Sequence, residues 1–201
     1  MAAAARVAGQ PAFPDTLDIR VRLNRISGQS EDGELSKRSH ESHSSDSGPQ
    51  PTADTDYWTQ ENLEHHVEGF KNLNLPLAQW APHASHIATT VWFCRRLPLP
   101  DAEATMVEGI PALNAANGVP PDAYHDTITR FFVRIIFSLV EKLDQGQDDG
   151  ELAQAIIKQI GTTKAERMAL FGRYWADPVA VLMSPAARKS WVPPDLPEMT
   201  L

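Results

Sequence analysis

The chain has 201 residues, 42% hydrophobic and 22% charged, an ordinary globular balance that allows one domain with a sizeable core. Its net charge of −8 argues against nucleic acid as the main partner, because phosphate binding draws on clustered Lys and Arg. The single cysteine, Cys94, excludes an internal disulfide framework and a cysteine-based zinc site.

Residues 1–9 are alanine-rich but lack the apolar core of a secretory signal, and Asp15 and Asp18 arrive too early for a transit peptide. No run reaches the roughly 18–20 apolar residues of a membrane span. The expectation is a soluble cytoplasmic protein with neither nucleic acid nor membrane as a partner. Leu17, Ile19, Val21 and Leu23 alternate with polar residues, a period-two strand signal. Residues 27–56 are rich in Ser, Gly, Pro and Asp, with almost no large apolar side chain to offset the entropy of ordering. Residues 1–56 therefore read as a largely disordered leader with a short strand at 17–24, and residues 57–201 as a helical domain. His40 and His43 fall in the leader and read as solvated.

From Thr59 the spacing turns helical. Leu63, Val67 and Phe70 recur at i, i+4 and i+7 and predict a first short helix, with His65 and His66 placed at its surface. Pro82 suits the start of a second helix running from His83 to Arg96. Asp101 reads as the cap of a third, which continues to Asn117, stops at Gly118 and should be kinked or split by Pro111. The fourth carries the broadest apolar stripe, from Ile128 through Phe132, Ile135, Ile136, Leu139 and Val140 to Leu143. Asp122 is its expected cap, and Gly146 marks its far end. Two shorter helices, Glu151–Ile160 and Lys164–Gly172, follow, the latter opening on the capping box Thr163-Lys-Ala-Glu166. A final turn runs from Ser184-Pro185 to Trp191. The short connections favour an all-α, small up-and-down bundle with short extra C-terminal helices behind the leader.

At 100° per residue His83, His86, Thr90 and Cys94 share one stripe of the second helix, while His125 and Thr129 fall on the apolar stripe of the fourth. If the bundle helices alternate in direction, the first turns of the second and fourth lie at the same end, and His83, His86 and His125 meet there. Three roles stay open for the trio. They could bind a divalent metal ion as its ligands, act as an acid or base, or orient a carboxylate-bearing small molecule near helix N-termini. Asp126 is adjacent as a further acid, base or ligand, and Tyr124 could position a substrate. A buried polar network that only satisfies helix ends is the alternative. Cys94 lies about 16 Å along the helix from His83 and reads as a small core residue. Neither G-x-G-x-x-G, P-loop nor G-x-S-x-G occurs.

Several strings resemble a family of small uncharacterised all-helical proteins. They are Leu75-Pro76-Leu77-Ala78-Gln79-Trp80, the His83-x-x-His86 pair, Gly109-Ile110 followed by Asn114, Gly118-Val119, and Tyr124-His125-Asp126-Thr127-Ile128-Thr129. The stretch from Ser184-Pro185 to Asp195-Leu196 is similar as well. The likeness covers roughly Trp58 to Leu196, and the Tyr-His-acid-Thr-Ile-Thr string is its most specific part. Pro82 and Asp126 stand where that family usually has threonine and glutamate. The resemblance implies a helical fold and the same three histidines, and it carries no reaction. The functional readings are thus a small enzyme acting on a small metabolite, a non-enzymatic accessory or binding module, and a structural bundle without a site.

Overall fold

The computed structural model describes residues 55–196, and within them the chain is all-α, with nine helices and no strand. The strand expected at 17–24 lies outside the described residues. A 3₁₀ turn, Thr55–Tyr57, reaches two residues into the segment assigned to the leader. Helix α1 spans Gln60–Lys71, with the Thr59 hydroxyl accepting from the Asn62 amide. Its stripe of Leu63, Val67 and Phe70 is buried as the spacing predicts, but His66 is buried with it and only 1% exposed. His65 is exposed. The surface placement of His66 is therefore corrected: it stands three residues after Leu63, on the same face.

Pro76 opens a four-residue helix, α2 (Leu77–Trp80), that periodicity could not announce. Helix α3 keeps its expected bounds, His83–Arg96. Helix α4 spans Leu99–Ala116 and starts earlier than Asp101, because the Pro98 carbonyl accepts from Asp101 and Ala102. Pro100 costs nothing in that first turn. The helix runs through Pro111 without being split. After a 3₁₀ turn, Pro121–Ala123, come α5 (Asp126–Leu143), α6 (Asp149–Ile160), α7 (Lys164–Phe171), α8 (Pro178–Leu182) and α9 (Pro185–Lys189). The α7 capping box is present in full.

Helix α3 packs on both α5 and α6, α4 on α5, and α1 on α6 and α3, around a core that includes Ile87, Val91, Ile136, Leu139, Leu152 and Ile156. Two charged clamps tie these layers. Asp149, 3% exposed, accepts from Arg95 and Arg96 and so joins α6 to α3. Burial opposes its ionisation, but the arginine hydrogen bonds outweigh burial and hold the carboxyl below its usual range. Glu103 of α4 pairs with Arg130 and Arg134 of α5 in the same manner. Among the described residues no helix is long and apolar enough to cross a membrane.

Candidate functional site

A cavity of about 390 Å³ lies between α3, α4, α5 and α7, and His83, His86, Tyr124 and His125 all line it. Its apolar wall comes from side chains such as Ile87, Met106, Ile110, Ile128, Phe132 and Phe171. The polar part adds Thr90, Asn114, Thr129, Thr162 and Arg167 to the histidines and Tyr124. All three imidazoles thus border one cavity, although each is held differently.

His83 and His86 occupy the first turn of α3. The His86 ring stacks on Trp80, with centroids 3.9 Å apart, and is further held by a hydrogen bond to the Trp80 backbone. Trp80 is fixed in turn by its indole N–H, which donates to Asn114 Oδ1 at 3.2 Å. His83 meets Phe132 edge to face at 4.7 Å, and its ring centroid is 6.4 Å from that of His86. The buried His83 Nε2 has no hydrogen-bond partner among the described residues. Burial, then the charges of His86 and Arg167, push His83 down to about 3. Burial pushes His86 down to about 4, against the Trp80 hydrogen bond. Both rings are therefore neutral at physiological pH.

His125 departs from expectation. It stands one residue before α5 as its N-cap, with Nδ1 accepting from the Ile128 amide at 3.3 Å, where Asp122 had been the expected cap. Asp122 falls instead inside the 3₁₀ turn started by Pro120 and Pro121, too far upstream to reach the free amides of α5. With Nδ1 accepting, the proton sits on Nε2, which donates to the Leu182 carbonyl at 2.8 Å. His125 thereby latches α8 to the start of α5. His125→Ala removes cap and latch together and should lower unfolding free energy by about 2 kcal/mol. His125→Asn restores a good cap and should recover about half of it in urea denaturation. Equal losses in the two variants would refute this division of roles.

These commitments leave the metal reading without support. Among the described residues no group of three His, Cys, Asp or Glu is placed to hold a metal ion. His125 has both nitrogens engaged, and His86 is stacked and hydrogen-bonded through Trp80. Asp126, expected beside the histidines, is not among the residues that line the cavity. It is buried, its Oδ2 accepts from Arg130 Nε at 2.8 Å, and its Oδ1 accepts from the Tyr124 hydroxyl at 3.3 Å. Tyr124 does line the cavity, and burial first of all pushes its phenol up to about 12, so it stays a neutral hydrogen-bonding group.

Sequence reasoning missed Asn114 and Arg167 as site residues. Arg167 sits beside the capping-box Glu166 on a short amphipathic helix and looks like any surface cation in sequence. Its Nη1 donates to the Thr162 carbonyl at 2.7 Å, and among the described residues no carboxylate lines the cavity with it. The Cys94 thiol is buried and donates weakly to the Val133 carbonyl at 3.8 Å, which fits the core role expected of it. Burial pushes its pKa far up. Compared with protein-family models, curated proteins and solved structures, the chain finds no match in any of the three.

Proposed function

We propose that this protein binds a small organic metabolite in the cavity between α3, α4, α5 and α7. The observation that supports this is the make-up of the cavity. Its volume, about 390 Å³, is within the range of small-molecule sites. A mostly apolar wall faces a few convergent hydrogen-bonding groups, His83, His86, Asn114, Tyr124 and Thr129, which is the pattern that fixes a ligand's orientation.

Enzymatic turnover is the extended form of this reading. Imidazoles held neutral near 3 and 4 are weak bases at pH 7, so hydrogen bonding to the ligand is their first role. They would act as bases only on a ligand that raises their pKa. A cytoplasmic location is consistent with the single buried thiol.

The test is a melting-temperature screen of the full chain against a library of small metabolites, repeated with Ile128→Phe. That substitution adds volume to a half-buried wall residue of the cavity. Compounds that raise the wild-type melting temperature are expected to bind the variant at least about tenfold more weakly, while the variant itself melts within a few degrees of wild type. A library that leaves the wild-type melting temperature unmoved would sink the reading, as would ligands that bind both proteins equally.

A further inference from the structure

Resting on that reading, we infer that the ligand is a small organic monocarboxylate, its carboxylate seated on Arg167 and His83 and its body laid on the apolar wall. Among the described residues, Arg167 is the one charged side chain lining the cavity. No carboxylate lines the cavity beside it, and no ion pair engages it among the described residues. Its single hydrogen bond is to a backbone carbonyl, made through Nη1, which leaves the Nε–Nη2 edge of the guanidinium without a partner among the described residues. That edge offers two parallel N–H donors, the geometry that a carboxylate accepts in bidentate fashion.

Charge accounting selects a monoanion. The exposed Glu166 carboxylate feels the Arg167 charge but is held outside by the α7 capping box, so a single negative charge is what the half-buried guanidinium can take from the cavity side. A phosphate dianion would leave one charge over among neutral groups. His83 and His86 do not supply a second cation, because burial first of all, and the Arg167 charge to a smaller extent, oppose their protonation. They sit in the first turn of α3, where free amides add partial positive charge, and the His83 ring, with its Nε2 unpartnered among the described residues, can donate a hydrogen bond to an anion, whereas the one N–H of neutral His86 is already given to the Trp80 carbonyl. The buried, unpartnered His83 Nε2 is a second sign that the polar end is incomplete without a ligand. Beyond that end the wall of Ile87, Met106, Ile110, Ile128 and Phe132 suits an unbranched alkyl chain or a single aromatic ring.

Calorimetric titration of the full chain with four probes tests this: hexanoate, hexanamide, hexan-1-amine and inorganic phosphate. Hexanoate is expected to bind at least about tenfold more tightly than the amide, with the amine and phosphate weaker still. Arg167→Gln should weaken hexanoate by roughly 10- to 100-fold and leave the amide within about threefold. Arg167→Lys, which keeps the charge but not the fork, should recover part of the loss. Melting temperatures near that of wild type show that the variants are folded. If the amide equals the acid, or if Arg167→Gln binds hexanoate as wild type does, the carboxylate assignment is overturned while the cavity reading stands. Phosphate binding as tightly as hexanoate overturns it too. If none of the four binds while the metabolite screen still yields a ligand, the carboxylate assignment is overturned and the cavity reading stands; only a failed screen removes both.

Discussion

Acidification from pH 7 to pH 4.5 should unfold this domain before its ion-paired carboxylates are neutralised, because three imidazoles, buried His66 and the half-buried His83 and His86, are held in the uncharged state. His66, His83 and His86 have an ordinary value near 6.5 and are pushed down to about 3, 3 and 4. In each the first cause is burial. Below pH 6.5 the unfolded chain takes up three protons that the folded chain refuses, so stability is complete above that pH and falls as pH drops toward the folded values. Three protons at about 1.4 kcal/mol each per pH unit give a slope on the order of 4 kcal/mol per unit near pH 5. A domain with the usual stability of roughly 5–15 kcal/mol cannot absorb that for long. Asp149 and Glu103, both held below their usual range, add to the loss only at lower pH.

His66 makes the expectation specific. It is 1% exposed, neither ring nitrogen has a hydrogen-bond partner among the described residues, and the ring lies edge-on to Trp58 at 5.0 Å. Replacing an unsatisfied buried polar group with an apolar one of similar size removes its desolvation cost. His66→Leu should therefore raise stability at pH 7 by about 1 kcal/mol and flatten the acid slope by about 1.4 kcal/mol per pH unit. Urea denaturation followed by tryptophan fluorescence at several pH values measures both quantities. A wild-type stability that stays level between pH 7 and 5, or a variant weaker than wild type at pH 7 with an unchanged slope, would contradict this account.

The buried state of His66 was visible in part. It stands at i+3 from Leu63 and i−4 from Phe70, on the stripe that defines α1, but side-chain type was allowed to outweigh position. Helix α3 was fully legible because its apolar spacing and its flanking prolines, Pro82 and Pro98, agree on where it starts and stops. The α7 capping box was equally plain. The start of α5 was not, because Asp122 is the better cap by residue type, while the preceding proline pair commits it to a 3₁₀ turn and leaves the task to His125. Asp126 could have been read differently from sequence alone, since Arg130 lies four residues on and claims its carboxylate. Arg167 was beyond reach. Its place in the cavity depends on how α7 folds back on α3 and α5, a long-range outcome that no local pattern encodes.

Gly150→Ala should lower the unfolding free energy by about 3 kcal/mol, a large effect for one methyl group. Gly150 is the second residue of α6, and there alanine would ordinarily stabilise by up to about 1 kcal/mol through helix propensity. Here the chain entering α1 crosses directly over it. A Cβ at this position would lie 2.6 Å from the Gln60 amide nitrogen, the Thr59 carbonyl carbon and the Trp58 carbonyl oxygen. All three are backbone atoms, so no rotamer change relieves the contact. Nor can the backbone drift freely, because Gln154 donates to the Trp58 carbonyl at 2.9 Å and the Gln60 side chain accepts from the Asp149 amide at 2.9 Å. Moving α1 away would break these bonds and loosen Asp149, the carboxylate that Arg95 and Arg96 both hold. The clash therefore outweighs propensity, and the melting temperature should fall by roughly 10 °C. Gly172→Ala is the control. That residue has helical backbone angles, and a Cβ there meets nothing closer than the Met168 carbonyl at 3.5 Å, so its stability should stay within about 0.5 kcal/mol of wild type. If Gly150→Ala proves as harmless as Gly172→Ala, the close crossing of α1 over α6 is wrong, and the clamp between α3 and α6 must be built in some other way.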